Sequence, residues 1–233
     1  MIKLSKIFFI AFFICGAFVF CFVDCVLGKV IITGERMEIK NKGEATILKG
    51  NSKVISDLNT ITANNVIYNK SKSIISAYGD VKFFSNLKNN KTIEGYGNFA
   101  HYDMNKKKGK IWGDTILKLK HFMNNSNSPI TLRAQEVYID DNLKTLKAYN
   151  NVEIVTSYGK VCSDNAVFSQ KENLCTVFEK DKKRPVANIF HDGRKGICEA
   201  DKMVFYDSND KKRVVVSGLV EVKIEMEDKR SDT

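Results

Sequence analysis

Apolar and polar residues alternate along most of this 233-residue chain, and no stretch keeps a helical period for three turns. The alternating runs are rich in Val, Ile, Tyr and Phe. A period of two is typical of a β-strand with one buried face. Polar segments at 69–72, 105–109, 141–144, 170–173 and 208–212 separate these runs and predict turns. The pattern therefore predicts an all-β chain built from strand–turn–strand units.

A sequence repeat appears when six segments are aligned: 31–39, 60–68, 94–102, 131–139, 160–168 and 197–205. Each has a small residue, here called position zero, at the same place: Gly34, Ala63, Gly97, Ala134, Ser163 and Ala200. Position plus one is always an acid or an amide, plus three is apolar, and plus five is aromatic or β-branched. One two-stranded unit is marginal in water, so we expect the six units to stack into one array.

The apolar alternation changes phase inside each repeat. Positions minus two and zero share one face, whereas plus three and plus five would lie on the opposite face of a straight strand. A bulge after position zero, with an acid or amide bonding the bent backbone, brings all four to one side. We therefore predict a kink there, and we expect the Gly or Asn at 50, 79, 113 and 150 to open the second strands. Unit five instead has an irregular segment, 179–195.

The inward side chains of this pattern are the candidates for lining the interior. They are Ile32, Ile39, Ile61, Val66, Tyr68, Val81, Phe83, Phe99, Tyr102, Leu132, Val137, Ile139, Val152, Phe168, Met203 and Phe205. Ordinary core packing and contact with a lipid are equal alternatives for any one of them.

The first 28 residues differ in composition from the rest. Lys3 and Lys6 precede a run of 17 apolar residues, 7–23, and short residues follow up to Gly28. This order is typical of a secretory signal peptide cleaved after Gly28. A retained membrane anchor is the alternative, because such a run reaches the lower limit for crossing a bilayer. We expect a leader at 1–28, the β-structure at 29–226 and a disordered tail at 227–233.

The net charge and the sequence motifs indicate which classes of function to expect. Lys and Arg outnumber Asp and Glu, 37 to 27, which suits an anionic partner. An exported chain makes nucleic acid an unexpected partner. Nucleotide-binding and catalytic motifs and paired metal-ligand histidines do not occur in the sequence, so we expect no enzyme, cofactor or metal. Cys162, Cys175 and Cys198 remain after the leader, and we interpret them as small buried hydrophobes.

At the repeat columns the sequence resembles the LptA/OstA family of lipopolysaccharide-transport (organic solvent tolerance) proteins. The resemblance is clearest at 61–69 (Ile-Thr-Ala-Asn-Asn-Val-Ile-Tyr-Asn) and 77–81 (Ala-Tyr-Gly-Asp-Val), and it extends over residues 30–224. It implies a twisted, open β-jellyroll whose interior takes acyl chains. It also implies lipopolysaccharide or a related anionic glycolipid as cargo.

The expected role is that of a periplasmic protein of a Gram-negative bacterium that shields acyl chains and bridges the inner and outer membranes. Each buried methylene contributes about 0.8 kcal/mol, so acyl chains need an apolar path through water. The edge strands, 29–39 and 213–225, are expected to add strands of other β-jellyroll transport components or of further copies, as a homo-oligomer. Two alternatives remain: an inner-membrane-anchored component of the same system, and a structural β-solenoid with a packed interior and no lipid.

Overall fold

The computed structural model describes residues 25–27, 30–56, 59–86, 92–120, 130–140, 144–156, 159–172, 174–179, 183–191, 194–208 and 211–225. Residues 1–24 and 28 of the predicted leader, the predicted tail at 227–233 and the side chains of His121 and His191 lie outside the described residues. In the part that is described, no helix is long and apolar enough to cross a membrane.

Strands dominate the described chain, and the prediction of an all-β fold is confirmed. The strands are β1 (Cys25–Leu27), β2 (Val30–Thr33), β3 (Arg36–Lys40), β4 (Ala45–Ser56), β5 (Asn59–Asn69), β6 (Ile74–Asn86), β7 (Thr92–Asp103), β8 (Lys108–Lys120), β9 (Ile130–Asp140), β10 (Thr145–Thr156), β11 (Gly159–Ser169), β12 (Leu174–Phe178), β13 (Val186–His191), β14 (Arg194–Ser208) and β15 (Lys211–Glu225). One 3-10 helix, Asn41–Gly43, connects β3 to β4.

These fifteen strands form a single sheet in which neighbouring strands are antiparallel. The order follows the chain from β1 through β2, β4 and β5 up to β12, and then runs through β14, with β15 beside it. Each sequence repeat is therefore one pair of neighbouring strands: β5 with β6, β7 with β8, β9 with β10, and β14 with β15. The hydrogen-bonded ladder passes from unit to unit without interruption, as expected for a stacked array.

The turns between paired strands are built by polar side chains at the strand ends. Asn69 Oδ1 accepts a hydrogen bond of 2.9 Å from the backbone N–H of Lys72. Asp103 Oδ1 accepts one of 2.9 Å from the backbone N–H of Lys106. Such side-chain bonds imitate a backbone turn and reverse the chain over few residues. The predicted positions of the turns at 69–72 and 105–109 agree with the structure.

Every unit bends next to position plus one, but the residues that make the bend lie on the second strand. Ladder register shifts occur between Lys49 and Ser52, between Tyr78 and Val81, and between Trp112 and Thr115. In each case a dipeptide with positive φ occupies the gap, as at Gly79 (φ 73°) and Asp80 (φ 48°). The expectation that these dipeptides open the second strands is wrong, because β4, β6, β8 and β10 begin five or six residues earlier.

The side chain at position plus one covers the bulge that it faces. A Cβ on Gly79 would lie 2.9 Å from Asn64 Nδ2, and one on Gly113 would lie 2.8 Å from Asn98 Cβ. In the first unit Asn51 Nδ2 donates to Glu35 Oε1. In the sixth, the backbone N–H of Leu219 donates to Asp201 Oδ2 over 3.0 Å. The acid or amide therefore caps the bend across the ladder, and glycine is needed because its φ is positive and its α-carbon is closely covered.

Each bent strand has two arms that face the same interior. We call the part with positions minus two and zero arm A, and the part with positions plus three and plus five arm B. In β5, Ile61 and Ala63 of arm A and Val66 and Tyr68 of arm B are all buried, whereas Asn64 and Asn65 between them are exposed. Two consecutive outward residues reset the alternation, which is the phase change visible in the sequence.

Unit five makes the same bend by a different route. Its second strand is divided, so β12 pairs with 165–169 of β11 and β13 pairs with 159–162. Residues 179–185 connect the two pieces in place of a Gly-containing dipeptide. The irregular segment predicted from the sequence therefore begins with this excursion between β12 and β13, at the bend. Each arm still has a strand, β12 in arm B and β13 in arm A.

Replacing a glycine at a bend should destabilise the protein more than replacing one in an open turn. Gly113→Ala should lower the free energy of unfolding by about 1–2 kcal/mol for the left-handed backbone alone, and further because its Cβ would meet Asn98 Cβ at 2.8 Å. Gly43→Ala is the matched control, since Gly43 also has a positive φ (97°) but no atom lies within 4 Å of the added Cβ. Urea unfolding of both variants measures the difference. An equal loss in both would show that coverage of the bend is unimportant.

Candidate functional site

The interior between the two arms is the candidate functional site, and nearly all of the proposed lining residues point into it. Thirteen of them have relative exposures of 0–7%: Ile32, Ile61, Val66, Tyr68, Val81, Phe83, Tyr102, Leu132, Val137, Ile139, Val152, Phe168 and Met203. Phe205 is half-buried and packs against this cluster. Burial raises the pKa of the Tyr68 hydroxyl, which agrees with an apolar surrounding. The inner face is apolar from unit to unit.

Two proposed lining residues lie elsewhere. Ile39 is 65% exposed in β3, at the edge of the sheet where a neighbouring unit is missing. Phe99 is 38% exposed and lies at position plus two of its unit, which is one of the two outward positions at the bend. Its ring stacks on Trp112 on the outer face, with centroids 5.5 Å apart. Neither residue therefore lines the interior. Ile39 is largely exposed at the sheet edge, and Phe99 points outward at the bend.

Side chains from the two arms fill the interior closely in this structure. A Cβ on Gly95 in arm A would lie 3.4 Å from Ile111 Cδ1 of arm B, and 2.6 Å from Leu117 Cδ2, its cross-strand neighbour in arm A. Gly97 is covered in the same way by Ile111 Cγ2, at 2.7 Å. Interiors packed to this density hold no further molecule unless the packing changes. A ligand between the arms therefore requires that they separate.

Polar groups on the inner face are few. The buried side-chain oxygens that lack a hydrogen-bond partner among the described residues belong to Thr115, next to the bend, and to Asn59 and Ser85, at the other end of arm A. Ser85 is fully buried, and Asn59 is its direct cross-strand neighbour. A buried polar atom without a partner costs about 1–3 kcal/mol. This end of the interior is therefore suited to a polar group.

The inner face has no cover at the last strand. In β15 the side chains of Val220, Val222 and Ile224 pair across the ladder with Ala200, Cys198 and Gly196. They are 38%, 59% and 63% exposed, because among the described residues no strand pairs with the other side of β15. The free backbone edge of β15 runs beside them. The list of lining residues drawn from the sequence omitted all three, although the alternation in 213–225 would have found them.

An arginine in the unit-five excursion holds this last strand. Arg184 Nη2 lies 2.6 Å from Glu199 Oε1 on β14 and 3.6 Å from Glu221 Oε1 on β15. Its Nη1 donates to the carbonyl of Leu219 over 3.2 Å. The Arg184 side chain is only 18% exposed, so these contacts are less screened than typical surface pairs. The excursion thereby fixes β15 at its own bend.

Cys162, Cys175 and Cys198 are free thiols. Cys175 and Cys198 are buried, and burial raises the pKa of both thiols. Cys162 is half-buried and points away from the interior, next to the inward Val161. In the described residues no group of three or more His, Cys, Asp or Glu side chains could hold a metal ion.

Comparison with known proteins gives two similarities. Residues 31–136 match the family described as LptA/(LptD N-terminal domain) LPS transport protein. The fold is similar to that of LptH, the LptA homologous periplasmic component of the conserved lipopolysaccharide transport device from Pseudomonas aeruginosa. That match has 11% identity and a TM-score of 0.48, and it covers 55% of this chain and 94% of that chain. Among curated proteins none matches.

Thiol labelling tests the burial of the interior. In the native chain without residues 1–28, Cys162 should react with a maleimide, while Cys175 should react only on unfolding. A raised pKa keeps Cys175 a neutral thiol at pH values where an ordinary cysteine ionises, so raising the pH to 9 should not label it without unfolding. Mass spectrometry of the labelled peptides identifies the sites. Rapid labelling of Cys175 at neutral pH would mean that the interior is open.

Proposed function

We propose that this chain is a lipid-transport protein of the periplasm, because residues 31–136 match the family described as LptA/(LptD N-terminal domain) LPS transport protein. In this proposal it shields the acyl chains of lipopolysaccharide, or of a related anionic glycolipid, between its two arms. Leader cleavage after Gly28 would release it from the inner membrane. The observation that supports the proposal best is the inner face, which is apolar across all six units and remains uncovered at β15.

Acyl chains would enter by separating the arms. Each methylene moved from water into an apolar surrounding contributes about 0.8 kcal/mol, so several acyl chains supply a large driving force. The contacts they replace are apolar as well, such as that of Ile111 with the Gly95 position. Exchange of one apolar neighbour for another costs little in solvation. The only loss is the side-chain packing of the closed form.

The orientation of the cargo follows from the polar groups inside. Asn59 and Ser85, at the end of arm A away from the bend, have buried oxygen atoms that lack hydrogen-bond partners among the described residues. The hydroxyl or amide groups near the sugar end of a glycolipid would satisfy them, and the acyl chains would extend toward the bend and arm B. The excess of ten positive charges suits the phosphates of such a head group.

Assembly with further β-jellyroll units would begin at β15. By the register that β4 makes with β5, Val222, Val220 and Val216 would face the residues at positions minus two, zero and plus three of an added first strand. In another copy of this chain these are Ile32, Gly34 and Met37. Such a strand would cover Val222 and Ile224 and continue the inner face into the next molecule.

At the opposite end the leader itself occupies the edge. β1 pairs with β2 in a hairpin register, Cys25 with Ile32 and Leu27 with Val30. Cleavage after Gly28 would remove β1 and leave the edge of β2 open. An inner-membrane-anchored component of the same system would keep residues 1–28, and with them this strand. Sequencing the N-terminus of the protein from cells separates these two forms.

A structural β-solenoid is the second candidate, and the close packing around Gly95 and Gly97 favours it. In that case the interior never exchanges its side-chain contacts for a ligand. The distinction between the two functions is therefore whether lipid reaches the inner face in cells.

Photo-cross-linking at two adjacent residues tests lipid contact. Phe83 points inward and is 3% exposed, whereas Phe84 points outward and is 45% exposed. With benzoyl-phenylalanine at position 83, light should link lipopolysaccharide to the protein in cells, as seen on immunoblots. Position 84 is the matched control and should give none. Cross-links at neither position, with both variants folded, would support the β-solenoid.

Charge placed on the open end of the interior should prevent assembly. Val222→Lys with Ile224→Lys should abolish association of the chain that begins at Lys29, since both side chains would face the added strand. The free energy of unfolding should change by less than about 1 kcal/mol, because both positions are largely exposed. Lys223→Ala, on the outward face between them, is the control. Sedimentation velocity measures the association, and unchanged association of the double variant would exclude β15 as the joining edge.

A further inference from the structure

Five aromatic side chains form a continuous band on the outer face of arm B. The outer band consists of Tyr78, Phe99, Trp112, Tyr138 and Tyr149, one from each of β6 to β10. Tyr78 meets Phe99 edge to face at 6.2 Å, Phe99 stacks on Trp112 at 5.5 Å, and Tyr138 meets Tyr149 edge to face at 5.6 Å. Lys110 joins the two groups, with its Nζ 5.4 Å from the Trp112 ring and 4.8 Å from the Tyr138 ring.

The outer band lies on the face opposite the interior, so lipid shielding does not explain it. Tyr78, Phe99 and Tyr138 are 38–39% exposed in the middle of the sheet. Cross-strand pairs of aromatic rings stabilise a sheet by about 0.2–1 kcal/mol each. That stabilisation does not require large rings that remain in contact with water, and aromatic residues of this exposure are enriched at binding surfaces.

A depression of about 410 Å³ adjoins one end of the outer band. Lys108, Glu136, Tyr138, Asp140, Lys147 and Tyr149 contribute to its wall. The perpendicular arrangement of Tyr138 and Tyr149, at 82°, turns the face of one ring and the edge of the other toward it. Its volume is within the range of roughly 300–1,000 Å³ that is usual for small-molecule sites.

The depression and its border hold three lysines, Lys108, Lys110 and Lys147, and two carboxylates, Glu136 and Asp140. Lys108 Nζ lies 3.0 Å from Asp140 Oδ1, and Lys110 is paired with Glu136. The hydrogen bond to Glu136 raises the pKa of Lys110, so Lys110 stays charged at neutral pH. Two of the three lysines are paired with carboxylates, which weakens their attraction for an anion such as phosphate. The same groups offer donors and acceptors close together, which matches the hydroxyl groups of a neutral polyol.

We propose that the depression and the outer band bind a neutral glycan chain. The apolar face of one sugar would pack on Tyr138 and Tyr149, and its hydroxyls would bond to Lys147 and Asp140. The chain would continue across the strands over Trp112 and Phe99. Strands are about 4.8 Å apart, close to the length of one sugar in an extended glycan, so successive rings meet successive sugars. This proposal is independent of the lipid-transport role, because it uses the other face of the sheet.

Tryptophan fluorescence gives a direct test, because Trp112 is the single tryptophan of the chain. The full chain without its leader is titrated with chitohexaose, maltohexaose and laminarihexaose, and calorimetry confirms each titration. We expect saturable binding of at least one hexaose with a change in Trp112 emission. Tyr149→Ala and Tyr138→Ala should each weaken that binding by about tenfold or more, as for an aromatic side chain at the centre of a contact.

Tyr206→Ala is the matched control, since Tyr206 is also an outward tyrosine beside a cation, with Arg213 5.0 Å from its ring. It should bind like the unaltered chain. Lys147→Met gives a second variant should a tyrosine variant fail to fold, and thermal unfolding checks each one. The same titration with inorganic phosphate tests whether the depression is an anion site. Titrations with peptidoglycan fragments and with the polysaccharide released from lipopolysaccharide distinguish the two natural sources of a glycan.

The proposal is overturned if no neutral glycan binds at millimolar concentration, if phosphate binds and the hexaoses do not, or if the Tyr138 and Tyr149 variants bind as the unaltered chain does. In the first case the outer band serves only to stabilise the sheet. Binding of a hexaose together with peptidoglycan fragments, or together with the released polysaccharide, supports the proposal and identifies the source of the glycan.

Discussion

The strict alternation of side chains along a β-strand is the constraint on which this structure depends. A strand that must turn apolar residues to the same interior from both of its arms has to break that alternation once. The chain does so with two consecutive outward residues on the first strand and two residues of positive φ on the second, as at Gly79–Asp80 opposite Asn64. Because the break falls at the same level in each unit, the bends align across the sheet and the inner face is continuous.

The sequence predicted those features of the architecture that are determined within a single repeat unit. Small residues at position zero and the change of phase were sufficient to predict six bent units, and they place residues such as Ile61 and Val66 correctly inside. The sequence did not show that the left-handed residues lie in the middle of the second strand rather than at its start. A Gly-Asp dipeptide is equally typical of a turn and of a bulge. Pairing with the neighbouring strand decides between them, and pairing is a long-range property. Phe99 was misplaced for a different reason, since it lies at position plus two, which is not one of the inward positions of the repeat.

The interior is filled by side chains in the middle of the array but exposed to water at β15. In the middle, Gly95 and Gly97 allow Ile111 and Leu117 to fill the space between the arms, which stabilises the closed form. At β15 the same inner face continues with Val222 and Ile224 into water, which costs stability unless another strand covers them. A protein selected only for its own stability would end the array with a polar strand, as solenoids commonly do with capping repeats. The uncovered inner face at β15 is the observation on which the proposed assembly rests.

Arg184 shows how the irregular unit serves that end. A Gly-Asx dipeptide bends the strand with two residues but brings no long side chain to the neighbouring strand. Unit five has the segment 179–185 in place of such a dipeptide, and its Arg184 contacts Glu199, Glu221 and the carbonyl of Leu219. These contacts hold the bend of β15, an edge strand that pairs only with β14 among the described residues. The departure from the repeat in unit five thus stabilises the edge strand of unit six.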